Sequence, residues 1–107
     1  MNQKSILQAV LLLYVFKEKE MIIEIKNFGD ILISRPAGKE AFQLASAYVF
    51  KDITNEEPII LDFKDVNVLT PSWADEFITN LKSKFSNPIN FLHTDNPSVK
   101  ATLSVII

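Results

Sequence analysis

Residues 59–81 read IILDFKDVNVLTPSWADEFITNL, and this stretch decides the fold. With Pro58 in front, Ile59-Ile60-Leu61-Asp62-Phe63 is a nearly continuous apolar run. Such a run marks a strand buried on both faces, as in a parallel sheet. Val66, Val68 and Leu69 carry the apolar content through what reads as a short connection. Thr70-Pro71-Ser72 then opens a helix. Thr70 can cap it, and Pro71 suits the first helical position, where a backbone N–H is dispensable. Ser72 with Asp75 offers a competing capping box. Trp73, Phe77, Ile78, Leu81 and Phe85 form one apolar stripe at helical spacing.

Working outward, the pattern of strand and helix repeats. On the amino-terminal side, Met21–Ile25 and Ile31–Ser34 are short β-branched runs separated by Asn27-Phe28-Gly29-Asp30, which predicts a β-hairpin. Pro36 and Gly38 punctuate a predicted loop. From Lys39 to Lys51 the residues Ala41, Phe42, Leu44, Ala45, Tyr48 and Val49 share one helical face, with Phe50 beside it. On the carboxyl-terminal side, Asn87-Pro88 breaks the central helix, and Ile89–Leu92 reads as a strand. Asp95-Asn96-Pro97-Ser98 opens a last helix bearing Val99, Leu103 and Ile106 on one face. The predicted order is β-β-α-β-α-β-α. Strands alternating with helices imply an α/β fold, a mixed sheet with helices packed on it through right-handed crossovers.

Bulk composition bounds the function. A chain of 107 residues with 48% hydrophobic residues suits one core. Eleven Lys and Arg against 13 Asp and Glu give a net charge of −2, with no basic surplus for capturing a nucleic-acid backbone, so no nucleic-acid partner is expected. There is no Cys and only one His, so thiolate and multi-histidine metal sites are excluded, and neither a metal nor a cofactor is expected. The absence of Cys is consistent with a cytoplasmic address, which is the expectation. Gly29 and Gly38 are the only glycines, too few for a phosphate-cradling loop.

Residues 1–20 stand apart from the domain at 21–107. Residues 6–16, ILQAVLLLYVF, hold ten apolar side chains in eleven positions. A spanning helix needs about 20 such residues, and the following KEKEM is a poor signal-peptide cleavage site. A membrane partner is therefore not expected. The run reads as an added helix or strand, with helix preferred, that docks on the domain or on a second copy of it, because an apolar patch of this size must be covered, or else as a membrane-surface anchor. Met21 could itself be the native start.

The sequence IILDFKDVNVLTPSWADEFITNL, together with Arg35-x-x-Gly38-x-x-Ala41-Phe42 ahead of the first helix, resembles the STAS-like domain family of unknown function. The likeness spans roughly residues 21–107. It implies a small four-stranded sheet flanked by helices and a regulatory binding role like that of anti-sigma-factor antagonists. In those antagonists a Ser at the start of the second helix is phosphorylated by the kinase that is also the partner. In this chain that position falls on Pro71, which has no hydroxyl. Thr70 and Ser72 flank it and are the phospho-acceptor candidates that the resemblance leaves. It also suggests a sensor-kinase-like ATPase, or another regulator, as partner.

Candidate residues each carry a structural alternative. Asp62 sits at a strand carboxyl end, where open α/β sheets place ligand sites, or it bonds nearby backbone N–H groups. Thr70 and Ser72 either receive a phosphate at a helix N-terminus or simply cap it. Trp73 is either a half-exposed interface anchor or core. Asp75 and Glu76 point about 100° apart on a helix and do not form an acid–base couple with each other. His93 could join Ser72 and Asp62 or Asp95, but no Gly-x-Ser-x-Gly elbow exposes a nucleophile.

The resulting expectation is a non-enzymatic interaction module presenting Thr70, Pro71, Ser72, Trp73, His93 and Asn96 to a protein partner. One alternative is a self-associating subunit held by residues 6–16. Another is a small ligand-binding domain or enzyme using Asp62, Ser72 and His93 at the strand carboxyl ends.

Overall fold

The computed structural model describes residues 20–54 and 56–107. The expectation of a helix over residues 6–16 lies outside them.

The central strand forms where the apolar run predicts it. Strand β3 (Ile59–Asp62) lies between β1 (Met21–Glu24) and β5 (Ile89–Leu92) in a three-stranded parallel sheet, order β1-β3-β5. Ile59, Ile60 and Leu61 are all buried, as a central strand covered on both faces must be. Ile23, Leu61 and Phe91 stand in one register row, and Glu24, Asp62 and Leu92 form the last row at the carboxyl ends.

The predicted hairpin does not form. After β1 the chain winds into a 3₁₀ turn (Ile25–Phe28), and strand β2 (Ile31–Leu32) leaves the first sheet. It pairs in parallel with β4 (Val68–Leu69), inside the stretch read as a connection. The sheet is therefore split into three and two strands instead of four in one. Side-chain burial explains the departure. Ile25 is fully buried, and the Phe28 ring packs 5.3 Å from Phe77 and 6.2 Å from Trp73, centroid to centroid. A tight hairpin turn would leave both side chains in solvent. Gly29, at φ 132°, then redirects the chain in a conformation that glycine adopts freely. The Asp30 carbonyl accepts from the N–H groups of Asn67 and Val68, which fixes the new pairing.

Helix α1 (Arg35–Tyr48) begins before the predicted loop ends. Ser34 Oγ accepts from the Ala37 N–H and caps it, and Pro36 sits in the first turn, where it breaks no intrahelical bond. Gly38 is thus helical. The helix stops at Tyr48, short of Lys51, and a 3₁₀ turn (Phe50–Asp52) tucks Phe50 into the core. Helix α2 (71–84) runs from Pro71 to Lys84 with a π-type turn at Asp75–Thr79. Of its predicted stripe, Trp73, Phe77, Ile78 and Leu81 are buried, whereas Phe85 falls just past the helix end and is half-buried. Helix α3 (Pro97–Ile106) is capped by Asn96, whose Oδ1 accepts from the N–H groups of Ser98 and Val99. Ser98 and Thr102 donate through their hydroxyls to the Leu69 carbonyl, fastening α3 to β4.

The core is aromatic at its centre. Phe28, Phe42, Phe50, Trp73, Phe77 and Phe85 pack ring to ring at centroid separations of 5.2–6.2 Å, mostly tilted or edge-on. Such contacts add to the burial of apolar area. Lys84 lies over this cluster, with Nζ 5.6 Å from the Phe50 centroid and 5.7 Å from Phe85. Among the described residues, no helix is long and apolar enough to cross a membrane.

Candidate interaction surface at the strand carboxyl ends

The surface is built from loops that leave β2, β3 and β5. Asp62 closes β3, and its Oδ1 accepts from the Lys64 N–H at 3.0 Å. The same oxygen lies 2.7 Å from Nδ1 of His93, the first residue after β5. An ionised carboxylate has no proton to give, so Nδ1 carries the hydrogen. Nε2 is then the outward-facing nitrogen of a side chain that is 57% exposed, whereas Asp62 is only 15% exposed.

Burial alone would push the Asp62 carboxyl up. The Lys64 N–H bond, the His93 bond and the neighbouring positive charge outweigh it, and Asp62 sits below the ordinary carboxylate range. The alternative given for Asp62, local bonding to backbone N–H, is thus present together with the His93 pairing also weighed for it.

Two residues here adopt left-handed backbone: Asp65 at φ 65° and His93 at φ 55°. Asp and His tolerate this region better than most residues, yet it still costs roughly 1–2 kcal/mol each. The hydrogen bonds around them hold the geometry. Asn96 Nδ2 donates to the Asn67 carbonyl and joins the 93–96 loop to the 63–67 loop. Asn67 Nδ2 donates to Asp30 Oδ2 and brings in the start of β2.

The helix start at Thr70–Trp73 follows β4, which Ser98 and Thr102 fasten to α3, and its residues divide sharply. Thr70 Oγ1 donates to the Ile33 carbonyl and accepts from the Trp73 N–H, so the hydroxyl both ties α2 to β2 and caps the helix. With Thr70 as the cap, Ser72 does not form the competing capping box. Ser72 is half-buried, and among the described residues its hydroxyl makes no hydrogen bond. Pro71 is exposed. Asn96 is half-buried and fully engaged, as cap of α3 and as donor to Asn67.

Trp73 is corrected from interface anchor to core. It is 1% exposed and stacks on Phe77 at 5.2 Å and 12° between planes. Its indole cannot meet a partner while the domain is folded. The stripe Trp73, Phe77, Ile78 and Leu81 carried the signal for core, and Phe28, half-buried after the 3₁₀ turn, packs on its ring.

A second feature was quoted in the sequence without a role. Arg35 Nη1 lies 2.8 Å from Asp75 Oδ2 and 3.2 Å from Glu76 Oε1, bridging the first turn of α1 to α2. The Asp75 carboxyl is held low by the Arg35 bond, helped by a hydrogen bond from Thr79 Oγ1. One turn on, Gly38 lies so close to α2 that a Cβ there would stand 2.6 Å from the Trp73 carbonyl oxygen. The two sequence blocks that carried the resemblance therefore form one packing unit.

Chemically, the surface holds an oriented imidazole with a carboxylate behind it, but among the described residues no hydroxyl hydrogen-bonds His93. Nor do three or more His, Asp or Glu side chains cluster there as metal ligands. An apolar groove lies elsewhere among the described residues, between β1 and α1, and holds none of Asp62, Ser72 or His93.

No curated protein and no solved structure matches the chain. A family model does match residues 46–99, half of the chain and a narrower span than the sequence likeness, including the whole of the β3–α2 block and the loop that carries His93. The chain belongs to the STAS-like domain family of unknown function (DUF4325).

Proposed function

We propose that this domain is a non-enzymatic regulatory module that binds a protein partner through the surface made by Asp65, Pro71, Ser72 and His93. The observation that carries this reading is the pair of left-handed residues, Asp65 and His93, held in adjoining loops by hydrogen bonds. Backbone strain persists where surrounding structure over-determines it, and it concentrates at functional sites. The surface is preorganised, which lowers the entropy lost on binding. The partner suggested by the family likeness is a sensor-kinase-like ATPase, with Ser72 as the hydroxyl left free for phosphate at the start of α2.

The full-length protein carrying His93→Ala or Ser72→Asp is compared with wild type for capture of a partner from cell lysate, after circular dichroism shows both folded. An ATP-binding protein captured by wild type and lost with these variants supports the reading. Capture that is unaffected by both variants assigns the contact to another face and overturns it.

A further inference from the structure

We propose that residues 6–16 of this same chain fold back and cover the apolar groove between β1 and α1. The groove has a volume of about 620 Å³ and is lined by Ile22, Phe28, Leu44, Tyr48 and Val49 among others. Three of these are large and open to solvent: Ile22 is 52% exposed, Leu44 49% and Tyr48 72%. One wall of the groove is β1, an edge strand that pairs with β3 on one side only among the described residues. A free edge beside exposed aliphatic and aromatic side chains is a surface that proteins cover.

The chain outside the described residues ends at the groove itself. Residues 1–19 lead through Glu20 into Met21, the first residue of β1, and Ile22 is already in the groove wall. The apolar run at 6–16 is separated from β1 only by Lys17-Glu18-Lys19-Glu20. Four residues span up to about 13–14 Å. That exceeds the ~5 Å between neighbouring strands, so the chain can reverse direction here, and four is an ordinary length for a reversal. The four are all charged, which suits an exposed turn. Eleven residues extend about 16 Å even as a helix, enough to pass the whole of a four-residue strand of about 13 Å. The tether is what selects this occupant over a second copy, since a short connection gives the attached segment a millimolar effective concentration at the groove. This inference concerns a different face from the binding surface above and does not depend on it.

The absence of cysteine makes a direct test simple. Full-length protein is made with Leu44→Cys combined in turn with Leu11→Cys, Leu12→Cys and Leu13→Cys, and the same set is made on Tyr48→Cys. Both groove positions are open enough to accept the change without unfolding, and the three consecutive partners allow for either face of the run. Each variant is oxidised mildly at low protein concentration, then read by free-thiol loss, non-reducing electrophoresis and intact mass. A disulfide needs Cα atoms about 4.4–6.8 Å apart. The expected result is at least one pair that loses both thiols within a single chain and runs as a compact monomer until reduced. Crosslinks found only between two chains would place the segment on a second copy and overturn the proposal. Six folded variants with no crosslink would overturn it as well.

Discussion

Gly38 of α1 rests on the backbone of Trp73 in α2: a methyl group at residue 38 would meet the Trp73 carbonyl oxygen at 2.6 Å and its Cα at 3.0 Å. The neighbour is main chain in the middle of a packed interface, so it cannot rotate away. This single contact sets how closely the two helices approach, and it allows Arg35, one turn earlier, to reach Asp75 and Glu76.

Gly38→Ala is expected to destabilise the domain. Alanine gains up to about 1 kcal/mol of helix propensity over glycine. Overpacking against a fixed backbone costs typically 1–3 kcal/mol, and more where nothing can move. The second effect wins at this separation, so the urea midpoint falls without a change in slope. A rise in midpoint would show that the helices separate freely.

Trp73→Ala should cost about 3–5 kcal/mol, because it removes the ring that packs on both Phe28 and Phe77 and leaves a cavity. Much of the net stability of a domain this size is then gone. Trp73→Phe should keep the fold and lose less. Thermal unfolding followed at 222 nm distinguishes this from a surface role, for which both variants would melt like wild type.

Asp62→Asn tests the carboxylate–imidazole pair through pH. The folded-state carboxyl lies below its unfolded value of about 3.9. Its stabilising contribution is therefore fully present above about pH 4 and is lost as pH falls through the lower folded value. Wild type should exceed Asp62→Asn in stability at neutral pH, and the gap should close in the acid range below about pH 4. A gap that stays constant from pH 7 to 3 would mean that the ionised form is not the one favoured by folding.

Asn96→Ala removes the cap of α3 and the bond to the Asn67 carbonyl together. A cap alone is worth about 1 kcal/mol, with a range of 0.5–2. The expected loss lies at the upper end of that range. Asn96→Asp should recover the cap but not the Asn67 bond, since a carboxylate cannot donate. Equilibrium unfolding of the two variants separates the contributions.

The sequence was a good guide wherever the signal was local. The apolar run at 59–61 identified the central buried strand, because a strand covered on both faces has no polar side to show. The stripe Trp73, Phe77, Ile78 and Leu81 identified the buried face of α2. Thr70-Pro71 and Asn96-Pro97 marked two helix starts by cap chemistry that acts within four residues. The block around them also marked the family.

What the tertiary structure alone decided is where distant segments meet. Asn27-Phe28-Gly29-Asp30 carries the residues of a turn, yet Ile25 and Phe28 are drawn inward by an aromatic cluster built from α1 and α2, and the hairpin gives way to two separate parallel sheets. Trp73 lies on the apolar stripe of its own helix, but Phe28, a ring that packs on it, lies 45 residues earlier in the chain. Asp62 and His93 are 31 residues apart, and only the parallel register of β3 and β5 puts both at the same carboxyl end of the sheet. Capping and periodicity are fixed by neighbours along the chain, so a sequence shows them. Packing depends on complementary shapes supplied by remote segments, and those become visible only when the chain has closed on itself.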